Sequence, residues 1–281
     1  MENSIFISEV SSNHGRDLDR CFAFIDKSAE IGCDAVKFQL FKINKLFSPE
    51  ILKKSAVHRA REAWELPVEF LPKLSDRCKE MDILFSCTPF YLEAVEELSP
   101  FVDFYKIASY ELLWNPLLRA CAETGKPIIL STGMAVMDEI KGAVSCLREA
   151  GCEDLTLLHC ISGYPAPIVE CNLAAIETIR SEFDCKTGWS DHSVSPAVIY
   201  RAVSRWDASV IEFHLDLDGN GKEYKSGHCW LPEEIKPVIT DIHNGQIADG
   251  NGIKKPSKIE LIEREKRADP EDGLRPLKHM R

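Results

Sequence analysis

Short apolar runs alternate with longer stretches of helical periodicity along most of this chain. Runs of strand character fall at 5–10, 35–39, 83–87, 104–108, 127–131, 155–160, 185–189 and 209–214. Their apolar density suits strands buried on both faces of a parallel sheet. Helical spacing follows at 17–31, 67–80, 135–150, 173–183, 195–205 and 232–243. The first of these reads DLDRCFAFIDKSAEI and is followed by Gly32, a suitable helix stop. Strand then helix, repeated eight times over about 250 residues, predicts an α/β fold, a single (β/α)8 TIM barrel. A doubly wound open sheet is the rival. Its first turn would carry G-x-G-x-x-G, whereas here the turn is SEVSSNHGR with one glycine, so dinucleotide binding is unsupported. The expected organisation is a barrel over residues 1–250 and a charged tail over 251–281, packed on the barrel or on a partner chain.

Composition narrows the partners. With 44% hydrophobic and 28% charged residues, the chain has globular rather than disordered or fibrous usage. A net charge of −11 argues against nucleic acid and anionic membranes as partners. No apolar run is long enough for a membrane helix. The start MENSIFISEV shows no signal peptide, so cytoplasm is the expected compartment. Eleven cysteines, an odd number with no C-x-x-C pair, read as small buried hydrophobes rather than a disulfide or zinc framework.

In this fold chemistry gathers where strands end on the C-terminal side. Those positions hold Glu9, Asn13 and His14; Lys37 and Gln39; Thr88; Lys106, Ser109 and Glu111; Ser131; His159, Ser162 and Tyr164; Ser190, Asp191 and His192; and Glu212 and His214. Lys37 and Lys106, with Thr88 between them, suggest an anion cradle that the hydroxyls of Ser109, Ser131 and Ser190 could complete. Either lysine alone could simply pair with a neighbouring acid. His192 and His214 end adjacent strands and suggest a divalent metal, with Asp191 or Glu212 nearby. Residue type leaves Mn²⁺, Mg²⁺, Zn²⁺ and Fe²⁺ open. The loop after the last strand, with Asp216, Asp218, Glu223 and His228, reads either as a clamp for sugar hydroxyls or as a solvated loop.

Together the pieces SEVSSNHGR, DAVKFQ, SCTPF, YKIASYE, ILSTGM, LLHCISGYP, GWSDHS, IEFHLDLD and GHCWLPEE run in order from residue 8 to about 234. On them the chain resembles the sialic acid synthase family: the phosphoenolpyruvate-condensing N-acetylneuraminate synthases and their spore-coat-polysaccharide relatives. The resemblance implies that C3 of phosphoenolpyruvate attacks the aldehyde of N-acetylmannosamine or a related amino sugar, giving a nonulosonic acid and phosphate. It implies that Lys37, Thr88, Lys106, Ser109, Ser131 and Ser190 hold phosphoenolpyruvate. His192 and His214 would ligate the metal, Mn²⁺ or Mg²⁺. Glu9, Gln39 and Tyr164 would face the sugar, with Glu9 also a catalytic-pocket residue, and Glu111 and Glu212 would serve as acid and base. Family members continue into a small antifreeze-like domain, which this sequence lacks, so a homo-oligomer or a partner subunit is expected to close the site. The basic cluster Lys254, Lys255, Lys258, Arg264, Lys266, Arg267 and Arg275 in the tail is a candidate for that closure. Another metal-dependent aldol-type synthase or lyase on the same barrel, or a degenerate non-catalytic barrel subunit, is the alternative.

Overall fold

The computed structural model describes residues 4–281. Eight parallel strands, each hydrogen-bonded to the next, close on themselves through pairing of the first with the eighth. They are β1 (Ile5–Glu9), β2 (Ala35–Leu40), β3 (Leu84–Pro89), β4 (Phe104–Ile107), β5 (Ile128–Ser131), β6 (Leu155–Cys160), β7 (Lys186–Asp191) and β8 (Val210–Leu215). A short ninth strand, β9 (Cys229–Trp230), adds to the outside of β8. One principal helix follows each barrel strand: α1 (Leu18–Ile31), α2 (Leu71–Glu80), α3 (Leu92–Leu98), α4 (Asn115–Glu123), α5 (Met137–Glu149), α6 (Ala175–Phe183), α7 (Pro196–Trp206) and α8 (Pro232–Asp249). This is the (β/α)8 barrel that the alternation predicts.

Local chemistry accounts for the helix ends. Asp17 caps α1 by accepting the Arg20 amide at 3.1 Å. Gly32 ends α1 at φ 91°, a conformation that costs a residue without Cβ little. The helix expected from residue 67 begins at Leu71, after a 3₁₀ turn at Val68–Phe70. The connection between β2 and α2 holds further short helical turns at Ile43–Leu46, Pro49–Lys54, Ala56–Arg59 and Ala60–Trp64, none of which the periodicity reveals.

The barrel's interior explains where its chemistry lies. Ile7, Ala35, Phe104, Ile129, Leu158 and Val210 form a separate apolar cluster that fills the barrel. Side chains alternate between faces along a strand, so the residue two positions on points inward as well. Two positions on from five of these six stand Glu9, Lys37, Lys106, Ser131 and Glu212. An apolar plug thus supports a polar layer directly above it. The opposite phase packs against the helices as the main core, with Phe6, Phe38, Phe85, Tyr105, Leu130, Trp189 and Phe213. All eleven cysteines are free, ten of them buried and Cys185 half-buried.

Contacts divide the chain at Asn244, within α8. The unit beginning at Gly245 contains short turns at Lys258–Glu260, Leu261–Arg264 and Lys278–Met280. Within it the Asp269 carboxylate accepts the Lys278 amide at 2.8 Å, and Arg281 pairs with Asp272. No helix among the described residues is long and apolar enough to cross a membrane.

Candidate active site

A cavity of about 640 Å³ opens at the C-terminal end of the barrel. Every substrate, metal and acid–base residue that the resemblance implies lines it except Thr88, which lies against it by accepting a hydrogen bond from Lys37 Nζ at 3.3 Å.

Four charged side chains form the floor. Glu9, Lys37, Lys106 and Glu212 are 1%, 3%, 2% and 5% exposed. Unpaired ions at such depth would be prohibitive, and the four are linked. Lys37 pairs with Glu9 and lies 4.0 Å from Glu212 Oε2; Lys106 reaches Glu212 Oε1 at 3.4 Å. Gln39 donates to the other oxygen of Glu9 at 2.7 Å, and Ser190 donates to Glu212 at 3.3 Å. Both lysines therefore have acid partners, as each taken singly could have had. Burial alone would weaken the Lys37 proton, yet Glu212 and Glu9 outweigh it and raise the pKa. Lys106 has less compensation: burial depresses it despite Glu212. Burial opposes ionisation of Glu212, but Lys106 and Lys37 hold its pKa below the usual value.

Around this floor stand hydroxyls. Ser131 Oγ is buried without a hydrogen-bond partner. Ser109 Oγ accepts the Gly133 amide at 2.9 Å. A Cβ on Gly133 would lie 2.4 Å from Ser162 Oγ and 2.9 Å from Ser109 Oγ, so only glycine lets these loops approach so closely. Glu111, in the turn Ser109–Glu111, is 8% exposed with an unpartnered Oε2. Burial raises its pKa to about 8, against an opposing pull from Lys106. It is a neutral carboxylic acid at neutral pH.

One wall is made of histidines. The His192 and His214 ring centroids are 5.2 Å apart, and Tyr164 stacks on His192 at 4.2 Å. His192 Nδ1 bonds to the Ile161 carbonyl at 2.8 Å; burial, then the His214 charge, lower its pKa to about 3, so the ring is neutral. His214 Nδ1 bonds to Glu223 Oε2 at 2.9 Å. Burial opposes protonation of His214, but Glu223 raises its pKa nonetheless. With each Nδ1 anchored, each ring presents Nε2, the arrangement typical of metal-ligating histidines. The Glu223 carboxylate also lies 3.6 Å from His228 Nε2 and accepts from Ser11 and Ser12 at 2.6 and 2.9 Å. His214, Glu223, His228 and Cys229 place potential ligand atoms within 4.8 Å of one another. That cluster, which shares His214 with the expected pair but not His192, offers donors that fit a divalent cation of intermediate softness.

The structure parts company with the sequence at several residues. Asp191 cannot assist a metal, because the Trp189 and Trp230 indoles occupy its oxygens at 2.9 and 3.0 Å and Ser193 adds a third donor. It faces the outer core and stiffens the turn that carries His192. His159 also points outward and bonds to the Cys171 carbonyl at 2.9 Å. Asp216 and Asp218 are no sugar clamp: Arg20 holds them at 3.2 and 3.1 Å. Asn13 secures its own loop to the Leu215 carbonyl at 3.1 Å, and His14 accepts the Arg16 amide at 2.9 Å. The sequence reading also missed cavity residues: Ser11, Ser12, Phe41, Phe47, Arg61, Trp64 and Phe90. Most come from the β2–α2 connection, which carries no periodic signal.

Comparison with known proteins gives a consistent picture. The NeuB family matches residues 24–254. The N,N'-diacetyllegionaminic acid synthase of Campylobacter jejuni is 37% identical over 275 residues, covering 92% of this chain and 81% of that protein. The spore coat polysaccharide biosynthesis protein SpsE of Bacillus subtilis is 32% identical, covering 91% and 71%. The crystal structure of an N-acetylneuraminic acid synthetase from Leptospira borgpetersenii superposes with a TM-score of 0.82 at 30% identity, covering 93% of this chain and 90% of that one.

Proposed function

The chain belongs to the NeuB family, and from that premise we propose that it condenses phosphoenolpyruvate with N-acetylmannosamine or a related amino sugar, releasing phosphate and a nonulosonic acid. The observation that carries this is the buried Glu9–Lys37–Glu212–Lys106 floor beneath a wall of anchored, neutral-capable histidines. Two lysines that share a carboxylate inside a cavity can turn toward an incoming dianion. Hydroxyls of Thr88, Ser109, Ser131 and Ser190 then complete its hydrogen bonds. The unpartnered Ser131 hydroxyl supports such a ligand.

His192 and His214 would hold a divalent cation, Mn²⁺ or Mg²⁺, which when bound supplies Lewis acidity to the sugar aldehyde. Tyr164 and Gln39, with Glu9, orient the sugar. Glu111, protonated at neutral pH, delivers a proton to the oxygen that becomes a hydroxyl as C3 of phosphoenolpyruvate bonds to the aldehyde carbon. Glu212, kept ionised by Lys106 and Lys37, accepts a proton from the water that adds at C2. Phosphate then leaves with its C–O bond broken. Burial of the quartet excludes competing water.

The barrel, residues 1–250, carries this chemistry, and the 251–281 segment serves a homo-oligomer or partner contact. The protein works in the cytoplasm, where phosphoenolpyruvate is available. The test is phosphate release from phosphoenolpyruvate with a panel of hexosamines, with and without Mn²⁺. Release that requires both sugar and metal is the expected result, and release indifferent to the sugar refutes it.

A further inference from the structure

Arg61 lines the same cavity but has no part in the chemistry above. Its guanidinium carbon lies 5.5 Å from the Phe47 ring and 5.4 Å from the Trp64 ring. Its Nε is buried and has no hydrogen-bond partner. No carboxylate among the described residues pairs with it. The cavity's acids are already engaged: Glu9 by Lys37 and Gln39, Glu212 by Lys106 and Ser190, and Glu223 by Ser11, Ser12 and His214. Glu111 is neutral. A second cation, the exposed Lys222, stands 5.8 Å from the same Trp64 ring, also without a carboxylate partner among the described residues.

The supporting segment is held in place rather than loosely draped. Arg16 donates to the Glu62 carbonyl at 2.9 Å, Glu65 accepts the Ile43 amide at 2.7 Å, and His58 packs edge-on to Phe47 at 4.7 Å. Stacking on two rings fixes the guanidinium plane while leaving its N–H edge free for a ligand. That edge, with its five donors, suits a phosphate or carboxylate.

Resting on the function proposed above, we propose that Arg61 is a specificity-determining residue for an acceptor sugar bearing an anionic group, a phosphate ester in the first instance, at the end remote from its aldehyde. The lysine floor takes the phosphoenolpyruvate anion at the bottom of the barrel. Arg61 comes from the β2–α2 connection, not from a strand end, and Lys222 from the loop after β8. Together they offer positive charge at the rim, where the far end of an elongated open-chain sugar emerges. A neutral sugar would leave the Arg61 guanidinium without an anionic partner, which disfavours it relative to the charged one.

The test compares N-acetylmannosamine with N-acetylmannosamine 6-phosphate as acceptors for the full chain and for Arg61→Gln and Arg61→Lys. The wild type should prefer the phosphorylated sugar. Arg61→Gln should reduce that preference, read as the ratio of the two kcat/KM values, by about ten- to 150-fold, the worth of a charge-assisted contact. Arg61→Lys should restore part of it, and the KM for phosphoenolpyruvate should move less than that for the phosphosugar. No preference in the wild type, or a preference that survives Arg61→Gln, overturns the inference. So does a loss confined to phosphoenolpyruvate, which would make Arg61 part of that cradle. If neither sugar supports phosphate release, the proposed function fails, but calorimetric titration of N-acetylmannosamine 6-phosphate still decides on Arg61. Binding weakened by Arg61→Gln supports the inference; equal binding to both proteins overturns it. Circular dichroism of each variant shows that the fold is kept.

Discussion

Replacing Glu111 by glutamine removes an ionisable group and little else, and its consequences depend on pH in a calculable way. The folded protein holds the Glu111 proton up to about pH 8, whereas the unfolded chain releases it near 4.5. Below 4.5 both states are protonated and the group costs nothing through ionisation. Between 4.5 and 8 the folded state binds the extra proton, so its stability falls as pH rises, by about 1.4 kcal/mol per pH unit. Above 8 both states are ionised, and the accumulated loss is on the order of 5 kcal/mol. Glutamine has no such proton. The stability of Glu111→Gln relative to wild type should therefore rise by on the order of 5 kcal/mol between pH 4 and pH 9. Urea unfolding of both proteins at the two pH values measures this, and the many other titrating groups cancel in the difference. Turnover should move the opposite way. The variant should lose about 10²- to 10⁴-fold in rate, the usual worth of a general acid, along with the alkaline limb near pH 8 expected of wild type. A stability difference between the proteins that is the same at both pH values would refute the claim that Glu111 is held protonated by burial. An unchanged alkaline limb in the variant would remove it from the acid's role.

Other perturbations probe separate parts of the cavity. His192→Ala and His214→Ala should each abolish metal-dependent turnover with near-native circular dichroism, and full activity in either would end the metal assignment. Lys106→Ala should raise the KM for phosphoenolpyruvate more than that for the sugar, by about tenfold to 150-fold for a contact of roughly 1.5–3 kcal/mol; an equal effect on both substrates argues against a cradle. The same change leaves Glu212 with one cationic partner fewer at 5% exposure, so the melting temperature should also fall. Gly133→Ala should push Ser162 and Ser109 apart and weaken phosphoenolpyruvate binding without unfolding the protein, and a KM equal to wild type would show that the loops yield freely.

The barrel was legible because parallel strands covered on both faces leave dense apolar runs, and one helix between each pair leaves its own spacing. The strand-end rule then gathered the lysines, the acids and both histidines. What the apolar runs hide is phase. When both faces are buried, the sequence does not mark which alternate positions look into the barrel, so His159 and Asp191 read as rim residues although each stands one position out of phase. Phase becomes visible only once the small inner cluster is identified: Leu158 faces inward, so His159 cannot. Glu223, legible only as a possible sugar clamp, and Arg61, not legible at all, were obscured for another reason. They lie on connections with no periodicity, and their partners, Ser11 and His214 for one and Phe47 and Trp64 for the other, are chosen by how those connections fold. The closure of β8 onto β1 has the same character. It sets His214 beside Glu9 in register and Glu212 beside Ile7. Only that closure brings Glu212 within reach of the lysines on both β2 and β4, so the chemistry of the floor is a property of the closed barrel and of no single βα unit.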